Sequence, residues 1–353
     1  MNVLVAMSGG VDSAVSAYLI KQNHNAIGVT MKLHAENDLN INGENSCCSD
    51  QNIEDAKKVC DALGISHELC NFGEQFKDCV IADFIQSYKN GATPNPCIVC
   101  NRTIKFEQLL NLALSKNMNA IATGHYANVE KDANGRFILK KAADITKDQT
   151  YVLYSLSQHQ LSHTLFPLGN MTKKEVRELA EELGFVNARK HDSQDICFIP
   201  DGDYVSFIER FTGETAKSGN FIDMQGNVLG KHDGIIKYTI GQRKGLGIAF
   251  GEPMYVCEKN ALDNTVTLAR NSELFKRELV ASKINLIACD RLDSPIKIKA
   301  KIRYNQPEQP ATVVQTGDDS IYVKFDEPQR AITRGQSVVL YDGDVVVGGG
   351  IID

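Results

Sequence analysis

Along the N-terminal part of the chain, short continuous apolar runs alternate with segments whose apolar residues recur every three to four positions. "NVLVAM" reads as a buried strand, "DSAVSAYLIKQ" as a helix, "AIGVTMKL" as a second strand and "NIEDAKKVCDALG" as a helix stopped by Gly64. "AIATGHYA" reads as a further strand after the helix "IKFEQLLNLALSKN". This alternation predicts an α/β fold with a doubly wound parallel sheet. Ligands of such sheets gather beyond the carboxyl ends of the strands, so the loops after Met7, Met31 and Thr123 are expected to border one crevice.

The pattern changes after about Asp201. Beyond a helix-like "DYVSFIERF", strand-like runs are separated by Gly, Asn and Asp turns, as in "PMYVCEKNALDNTVTLA" and "QSVVLYDGDVVVGGGIID". The expected organisation is an α/β domain over residues 1–204, a small β domain over 205–275 and a C-terminal β-barrel over 276–353. A length of 353 residues, too great for one ordinary core, agrees with several domains.

With 42% hydrophobic and 23% charged residues and no low-complexity tract, the composition is that of a soluble globular protein. The opening "MNVLVAMSGG" carries no basic leader, and its apolar run is too short for a signal sequence or a membrane span. The expectation is a cytoplasmic protein with no membrane partner. Its ten cysteines are then mostly reduced, which disfavours a structural disulfide framework. Cys60, Cys70, Cys79, Cys257 and Cys289 fall in ordinary helix or strand patterns, so burial is expected for all five.

Candidate chemistry begins at "AMSGGVDSA", Ala6 to Ala14, between the first strand and the first helix. Gly9 and Gly10 admit a close backbone approach, Ser8 and Ser13 carry hydroxyls, and the helix start presents unpaired N–H groups to an anion. A plain glycine turn is the alternative reading, which the flanking serines and Asp12 make the weaker one. Neither the lysine-bearing G-x-x-x-x-G-K-[ST] loop nor the dinucleotide G-x-G-x-x-G is present. The stretch instead resembles the S-G-G-x-D-S loop of the ATP pyrophosphatases. That resemblance implies binding of ATP's pyrophosphate and adenylation of a substrate oxygen with Mg²⁺, for which Asp12 is the natural acidic ligand.

Two cysteines stand at close spacing in "TPNPCIVCN". Structural zinc needs four ligands, and no second C-x-x-C completes Cys97 and Cys100, which argues against it. Cys100 precedes "NRTIKFEQLL", where a helix N-terminus with Arg102 and Lys105 is expected to favour its thiolate. Cys197, in "KHDSQDICFIP" after Arg189, Lys190 and His191, is the second candidate thiol. Cys47 and Cys48 in "SCCSD" are open between redox neighbours and loop packing.

"SGGVDS", "TPNPCIVCN", "ATGHYA", "KDQTYVLY", "DSQDICFIP", "GQRKGLGI" and "FDEPQRAITRGQSVVLYDGDVVVGGGII" occur in the order found in the tRNA-specific 2-thiouridylases, so the chain resembles that family from first strand to last. The resemblance implies that Cys100 is a nucleophile forming a disulfide with Cys197, which carries incoming sulfur as a persulfide. It implies ATP contacts at Ala6, Met7, Ser8, Gly9, Gly10, Val11, Asp12, Ser13, Met31 and Gly124, and target-base contacts at Asn95, Pro96 and Cys97. Lys147, Asp148, Gln149, Arg303 and Tyr304 correspond to tRNA contacts. The implied reaction replaces the 2-oxygen of the wobble uridine by sulfur in tRNAs for Lys, Glu and Gln. The implied partners are tRNA and a persulfide sulfur donor, either a cysteine desulfurase or a sulfur-relay protein. Cys97 departs from an acid common in the family, and the alternative it opens is a [4Fe–4S] cluster held by Cys97, Cys100 and Cys197.

A net charge of −6 excludes a uniformly basic RNA-binding surface, so cations must be local. Lys297, Lys299, Lys301 and Arg303 alternate with Ile296, Ile298, Ala300 and Ile302, a strand with one cationic face. Between Lys276 and Arg303 stand eight basic and three acidic residues, which favours phosphate contact. Arg243 and Lys244 form a second basic loop, and His125 reads as a crevice hydrogen-bonding residue. A small-molecule ligase of the ATP pyrophosphatase superfamily is the main rival, and it needs neither paired thiols nor a basic strand. A non-catalytic RNA-binding protein is the third reading, disfavoured by the complete phosphate loop.

Overall fold

The computed structural model describes residues 1–33, 49–190, 196–248 and 251–353, and Cys47 and Cys48 lie outside the described residues. The first apolar run forms β1 (Asn2–Ala6), and α1 (Val11–Asn23), β2 (Asn25–Lys32), α2 (Asp50–Leu63) and β3 (His67–Asn71) follow. Gly64 stops α2 as its C-cap in a left-handed conformation, φ 62°. Next come α3 (Gly73–Phe76), a π-helical turn at Lys77–Ile81, α4 (Ala82–Lys89) and α5 (Pro96–Cys100). A π-helix at Asn101–Gln108 leads into α6 (Leu109–Ser115) and β4 (Ala120–Ala122). The hairpin β5 (Asn128–Lys131) and β6 (Phe137–Lys140), then α7 (Gln158–Ser162), β7 (Thr164–Leu165) and α8 (Lys173–Glu182), complete this part.

β1 is continuous in apolar residues because it lies at the centre of a parallel sheet ordered β3-β2-β1-β4-β7. Val3, Leu4 and Val5 are fully buried. Val11, Val15 and Ile20 of α1 join Val59 and Leu63 of α2 and Val176 of α8 in one core with Val3 and Val5. β4 is shorter than its apolar run suggests. It ends at Ala122, with Thr123 N–H making a last bond to the Leu165 carbonyl of β7 at 3.3 Å. Cys79 corrects the expectation of burial: Val80, Ile81 and Phe84 take the inner face of their helical turn and leave Cys79 exposed. Cys60 is buried, while Cys70, Cys257 and Cys289 are half-buried.

By its contacts the chain divides into two compact units. The first comprises Met1–Val80, Cys97–Gly202 and Asp344–Val346, and the second Ile81–Pro96, Asp203–Gly343 and Val347–Asp353. The second unit contains α9 (Tyr204–Thr212) and a four-stranded sheet of β8 (Gly219–Ile222), β9 (Val228–His232), β10 (Tyr255–Asn260) and β11 (Thr265–Ala269), ordered β10-β11-β8-β9. Its remaining strands are β12 (Phe275–Leu286), β13 (Ile296–Lys301), β14 (Gln309–Gly317), β15 (Ser320–Arg330), β16 (Ser337–Asp342) and β17 (Val345–Ile352). These close into a six-stranded barrel, ordered β12-β15-β14-β13-β16-β17, because β12 also pairs with β17. Leu279, Val313, Val323, Phe325, Val338 and Leu340 fill the barrel core.

The segment before α5 is held within this second unit. Gln336 Nε2 donates to the carbonyls of Thr93 (2.8 Å) and Pro94 (3.3 Å), and Thr93 N–H donates to the Arg334 carbonyl at 2.8 Å. Gly335 must be glycine: its φ is +87°, and a Cβ there would fall 2.9 Å from Ala92 Cβ. On α4, Tyr88 stacks on Tyr204 at 4.5 Å between ring centroids. Lys259 Nζ lies 5.7 Å from the Tyr88 ring centroid and donates to the Tyr238 carbonyl at 2.8 Å.

Burial pushes the Lys259 amine down from 10.5 to about 8. Below pH 8 both folded and unfolded chains carry the proton, and the folded state bears the whole cost of burying it. From pH 8 to 10.5 the unfolded chain binds more protons, so stability contributed by this site rises with pH. Wild type is therefore expected to gain on Lys259→Met by about 3 kcal/mol across that window, read from urea unfolding at stepped pH. Parallel pH profiles for the two proteins would contradict this account.

Candidate active site

The phosphate loop joins β1 to α1, where the parallel sheet sends its carboxyl ends. Gly10 is the N-cap of α1 and no side chain caps the helix, so the N–H groups of its first turn remain open to an anion. The two glycines differ in role. Gly9 has φ +74°, and a Cβ there would lie 2.3 Å from the Asn52 carbonyl oxygen of α2. A Cβ at Gly10 would meet only Ser8 Oγ, at 3.4 Å, so the front face of this residue is bare backbone. Ser13 Oγ donates to the Gly10 carbonyl at 2.9 Å and accepts from Ser8 N–H at 3.2 Å, which fixes the loop's curl. A backbone cradle of this kind fits a polyphosphate.

Gly124 backs this loop. A Cβ there would fall 2.8 Å from Asp12 C and 2.9 Å from Ser13 N, so the β4 exit can pass α1 only as glycine. Two residues on, Tyr126 donates its hydroxyl to Asp12 Oδ1 at 2.8 Å. Lys173, the first residue of α8, donates to both Asp12 oxygens at 2.8 Å. Gln149 in turn holds Tyr126, accepting from its N–H at 2.9 Å through Oε1. Asp148 accepts from Ala142 N–H at 3.0 Å and Thr150 Oγ1 at 2.6 Å. Lys147 is part of the same turn through its N–H to the Asp144 carbonyl at 3.0 Å. The Lys147–Gln149 segment thus braces the phosphate loop through Gln149 and Tyr126.

Ala6, Met7 and Val11 are buried around the loop, and Met31 is half-buried near the end of β2. From the other side, Asn187 Nδ2 donates to the Gly9 carbonyl at 3.1 Å. Lys190 reaches the same carbonyl at 3.5 Å while pairing with Asp55 at 2.8 Å and with Asn52 Oδ1. Burial works against ionisation of Asp55, and the hydrogen bonds from Lys190 and Gln51 overcome it, holding the carboxyl below its ordinary value. Tyr126, Lys173, Asn187 and Lys190 all touch this site, and sequence reasoning does not single them out for it. For Lys173 a signal exists: "MTKKEV" is a helix start with a Thr172–Glu175 capping box and a lysine against the dipole.

His125 meets Thr123 Oγ1 through Nδ1 at 2.8 Å, and its ring lies 5.6 Å from Phe106 and 6.2 Å from Phe166 between centroids. Burial, aided by the charge of Lys105, pushes the imidazole well below the ordinary histidine value, so it is a neutral hydrogen-bonding group.

The thiols require a correction. The helix that begins near Cys100 starts earlier, at Pro96, and continues through Cys100 into the π-helix without a break. Cys100 has helical φ −59° and ψ −44° and is buried at the end of α5, so the helix start lies nearer Cys97, which is exposed. A π-helix is uncommon and is often found at functional sites. Here it is fastened by Asn101 Nδ2 to the Val152 carbonyl (2.9 Å) and by Gln160 Nε2 to the Arg102 carbonyl (3.0 Å). Cys197 is half-buried, and its neighbour Phe198 packs edge-on against Phe76 at 5.6 Å. His191 lies outside the described residues. Cys97, Cys100 and Cys197 fall in the first unit, Asn95 and Pro96 in the second. Among the described residues no set of three or more His, Cys, Asp or Glu side chains is gathered to hold a metal ion, the alternative cluster set of Cys97, Cys100 and Cys197 included.

In the second unit Lys297 and Lys299 are exposed on β13 while Ala300 and Ile302 are buried, as the alternation requires. Lys301 Nζ lies 5.6 Å from the ring centroid of the exposed Tyr304. Arg303 turns inward and donates to the Ala331 carbonyl (2.9 Å) and Thr333 Oγ1 (2.8 Å). Among the described residues no helix is long and apolar enough to cross a membrane.

The tRNA methyl transferase HUP domain family matches residues 1–201, the tRNA methyl transferase PRC-barrel domain 205–270 and the aminomethyltransferase beta-barrel domain 276–352. The tRNA-specific 2-thiouridylase MnmA of Clostridioides difficile is 51% identical over 99% of this chain and 98% of its own length. That of Clostridium kluyveri is 51% identical over 99% of both chains. Among solved structures, the U34-tRNA thiolase NcsA from Methanococcus maripaludis with its [4Fe-4S] cluster aligns with 60% of this chain and 66% of its own. At 22% identity and a TM-score of 0.35, that likeness carries no argument about the present site. Full-length identity of this order with the curated relatives, over a phosphate loop built as described, places the chain in the tRNA-specific 2-thiouridylase family.

Proposed function

We infer that this protein is an ATP-dependent sulfurtransferase that converts the 2-oxygen of the wobble uridine to sulfur in tRNAs for Lys, Glu and Gln. The observation that carries the reading is the uncapped start of α1 behind Gly10, braced by Gly124, in the same unit as Cys100 and Cys197. It fits a phosphate chain, and the 2-thiouridylase relatives supply the substrate class. The division at about 204 and 276 into an adenylation domain, a small β domain and a tRNA-contacting barrel belongs to the same reading.

A uracil carbonyl oxygen is a poor leaving group. Its attack on the α-phosphorus of ATP releases pyrophosphate and converts that oxygen into the bridge to AMP. Ala6 to Ser13, Met31 and Gly124 hold the nucleotide, while Asn95, Pro96 and Cys97 hold the base. Mg²⁺, when bound with ATP, supplies charge neutralisation for the leaving pyrophosphate, and Asp12 is the acidic residue that would hold it.

The terminal sulfur of a Cys197 persulfide then attacks C2 and expels AMP. Cys100 thiolate attacks Cys197 Sγ, breaks its bond to the transferred sulfur, and leaves a Cys100–Cys197 disulfide. The two thiols provide the two electrons that the sulfane sulfur takes up, and cellular reductant reopens the disulfide. The persulfide comes from a cysteine desulfurase or a sulfur-relay protein, and the reaction takes place in the cytoplasm. Lys297 and Lys299 give phosphate contacts, and Tyr304 and the Lys147–Gln149 turn serve the same RNA.

Cys100→Ser and Cys197→Ser are each expected to abolish 2-thiouridine formation, measured by mass spectrometry of the wobble nucleoside, with tRNA binding nearly intact. Substantial product from either variant would refute the two-thiol scheme. Lys297→Glu with Lys299→Glu is expected to weaken tRNA binding uniformly across tRNAs and to flatten its salt dependence by about one unit of slope for each phosphate no longer neutralised. An unchanged salt slope would remove β13 from the RNA surface.

A further inference from the structure

The phosphate loop spells no lysine of its own, yet the fold brings one to it from far along the chain. Lys173 Nζ is 2.8 Å from both carboxylate oxygens of Asp12, in the first turn of α1. Three observations indicate that this amine is placed for more than Asp12. Lys173 is the first residue of α8, where the helix dipole disfavours a cation and favours an anion. It is only 8% exposed, so its charge has been taken largely out of water beside a bare backbone cradle. Its backbone is fixed independently of Asp12, by the N–H to Asp144 Oδ2 at 3.0 Å and by the Thr172–Glu175 capping box.

The Asp144 contact is itself well made. The Lys173 N–H and the Thr146 hydroxyl hold the Asp144 carboxyl below its ordinary value. Lys173 Nζ also lies over the Tyr126 ring, 5.8 Å from its centroid. An amine anchored in this way stays at the cradle when its partner changes, and its flexible side chain can move from a carboxylate to a phosphate oxygen beside it.

We propose that Lys173 is the phosphate-binding lysine of this enzyme: its ammonium exchanges the Asp12 carboxylate for the β- and γ-phosphates of ATP. The inference rests on the ATP reading above. When the bond between the α-phosphorus and its bridging oxygen breaks, the electron pair stays with the leaving pyrophosphate. Lys173 stabilises the charge that gathers there, with no proton transferred, and the Asp12 oxygens it releases become available to the metal side.

The test is calorimetric titration of the full-length chain with ATP and Mg²⁺, with inorganic pyrophosphate and with AMP. Lys173→Met is compared with wild type, and Asp12→Asn/Lys173→Met with Asp12→Asn, so that one pair leaves no bare carboxylate should the single variant fail to fold. In each pair, loss of the lysine is expected to weaken ATP and pyrophosphate roughly tenfold or more, the contribution of a charge-assisted hydrogen bond, and to leave AMP within about twofold. Lys173→Arg is expected to recover part of the loss. Unchanged ATP and pyrophosphate affinity with a lower melting temperature would reduce Lys173 to a structural ion pair and overturn the proposal. An equal loss for ATP and AMP would overturn it as well. Wild-type protein that binds no ATP would remove the proposed function too, whereas unchanged variants would leave that function standing.

Discussion

The constraint on which the first unit depends is that a helix start must remain uncovered. An ordinary N-cap side chain at Gly10 would satisfy the first N–H groups of α1 and occupy the space an anion needs. The surrounding chain meets this constraint by crowding the loop from behind. Asn52 of α2 comes so near Gly9 that no Cβ fits, and Gly124 passes equally near Asp12 and Ser13. Asn187 and Lys190 take the Gly9 carbonyl, while Tyr126 and Lys173 take the Asp12 carboxylate. The Gly9 carbonyl and the Asp12 carboxylate are thereby engaged, which leaves the N–H groups of the first turn of α1 for an anion.

The parallel sheet is legible in the sequence because β1 is central and its apolar run is unbroken, and α2 because Gly64 ends it where the helical periodicity ends. The phosphate loop is legible as a local spelling. Its braces are not, since Lys173 and Asp12 are separated by 161 positions and no periodicity links them. The start of the thiol helix departs from its expected place for a related reason. Pro96 suits a first helical position, but the preceding Thr93–Pro94–Asn95 reads equally well as a turn, and the π-helix that follows has no distinctive composition.

The cysteines show how far residue type alone can be carried. Cys60 behaves as a small apolar residue, with burial pushing its thiol up to about 12, as the helical pattern implies. Cys79 has the same kind of surroundings in sequence and points outward, because the larger Val80, Ile81 and Phe84 take the inner positions. Arg303 is the converse case. Its place in a cationic row suggests an outward guanidinium, whereas one nitrogen is spent on the Ala331–Thr333 turn that precedes the Arg334–Gln336 clamp.

That clamp bears on the order in which the protein can be completed. Gln336 grips Thr93 across 243 positions of sequence. At synthesis rates of roughly 5–20 residues per second, a ribosome needs about 12 to 50 seconds to travel that distance. Within that interval β4, β7 and α8 are made and the sheet around β1 can assemble, while the stretch leading to Cys97 waits for Gln336. A nascent chain can thus complete the loop after β1 well before the turn ahead of α5 is fastened, and the late synthesis of Gln336 keeps the two events apart in time.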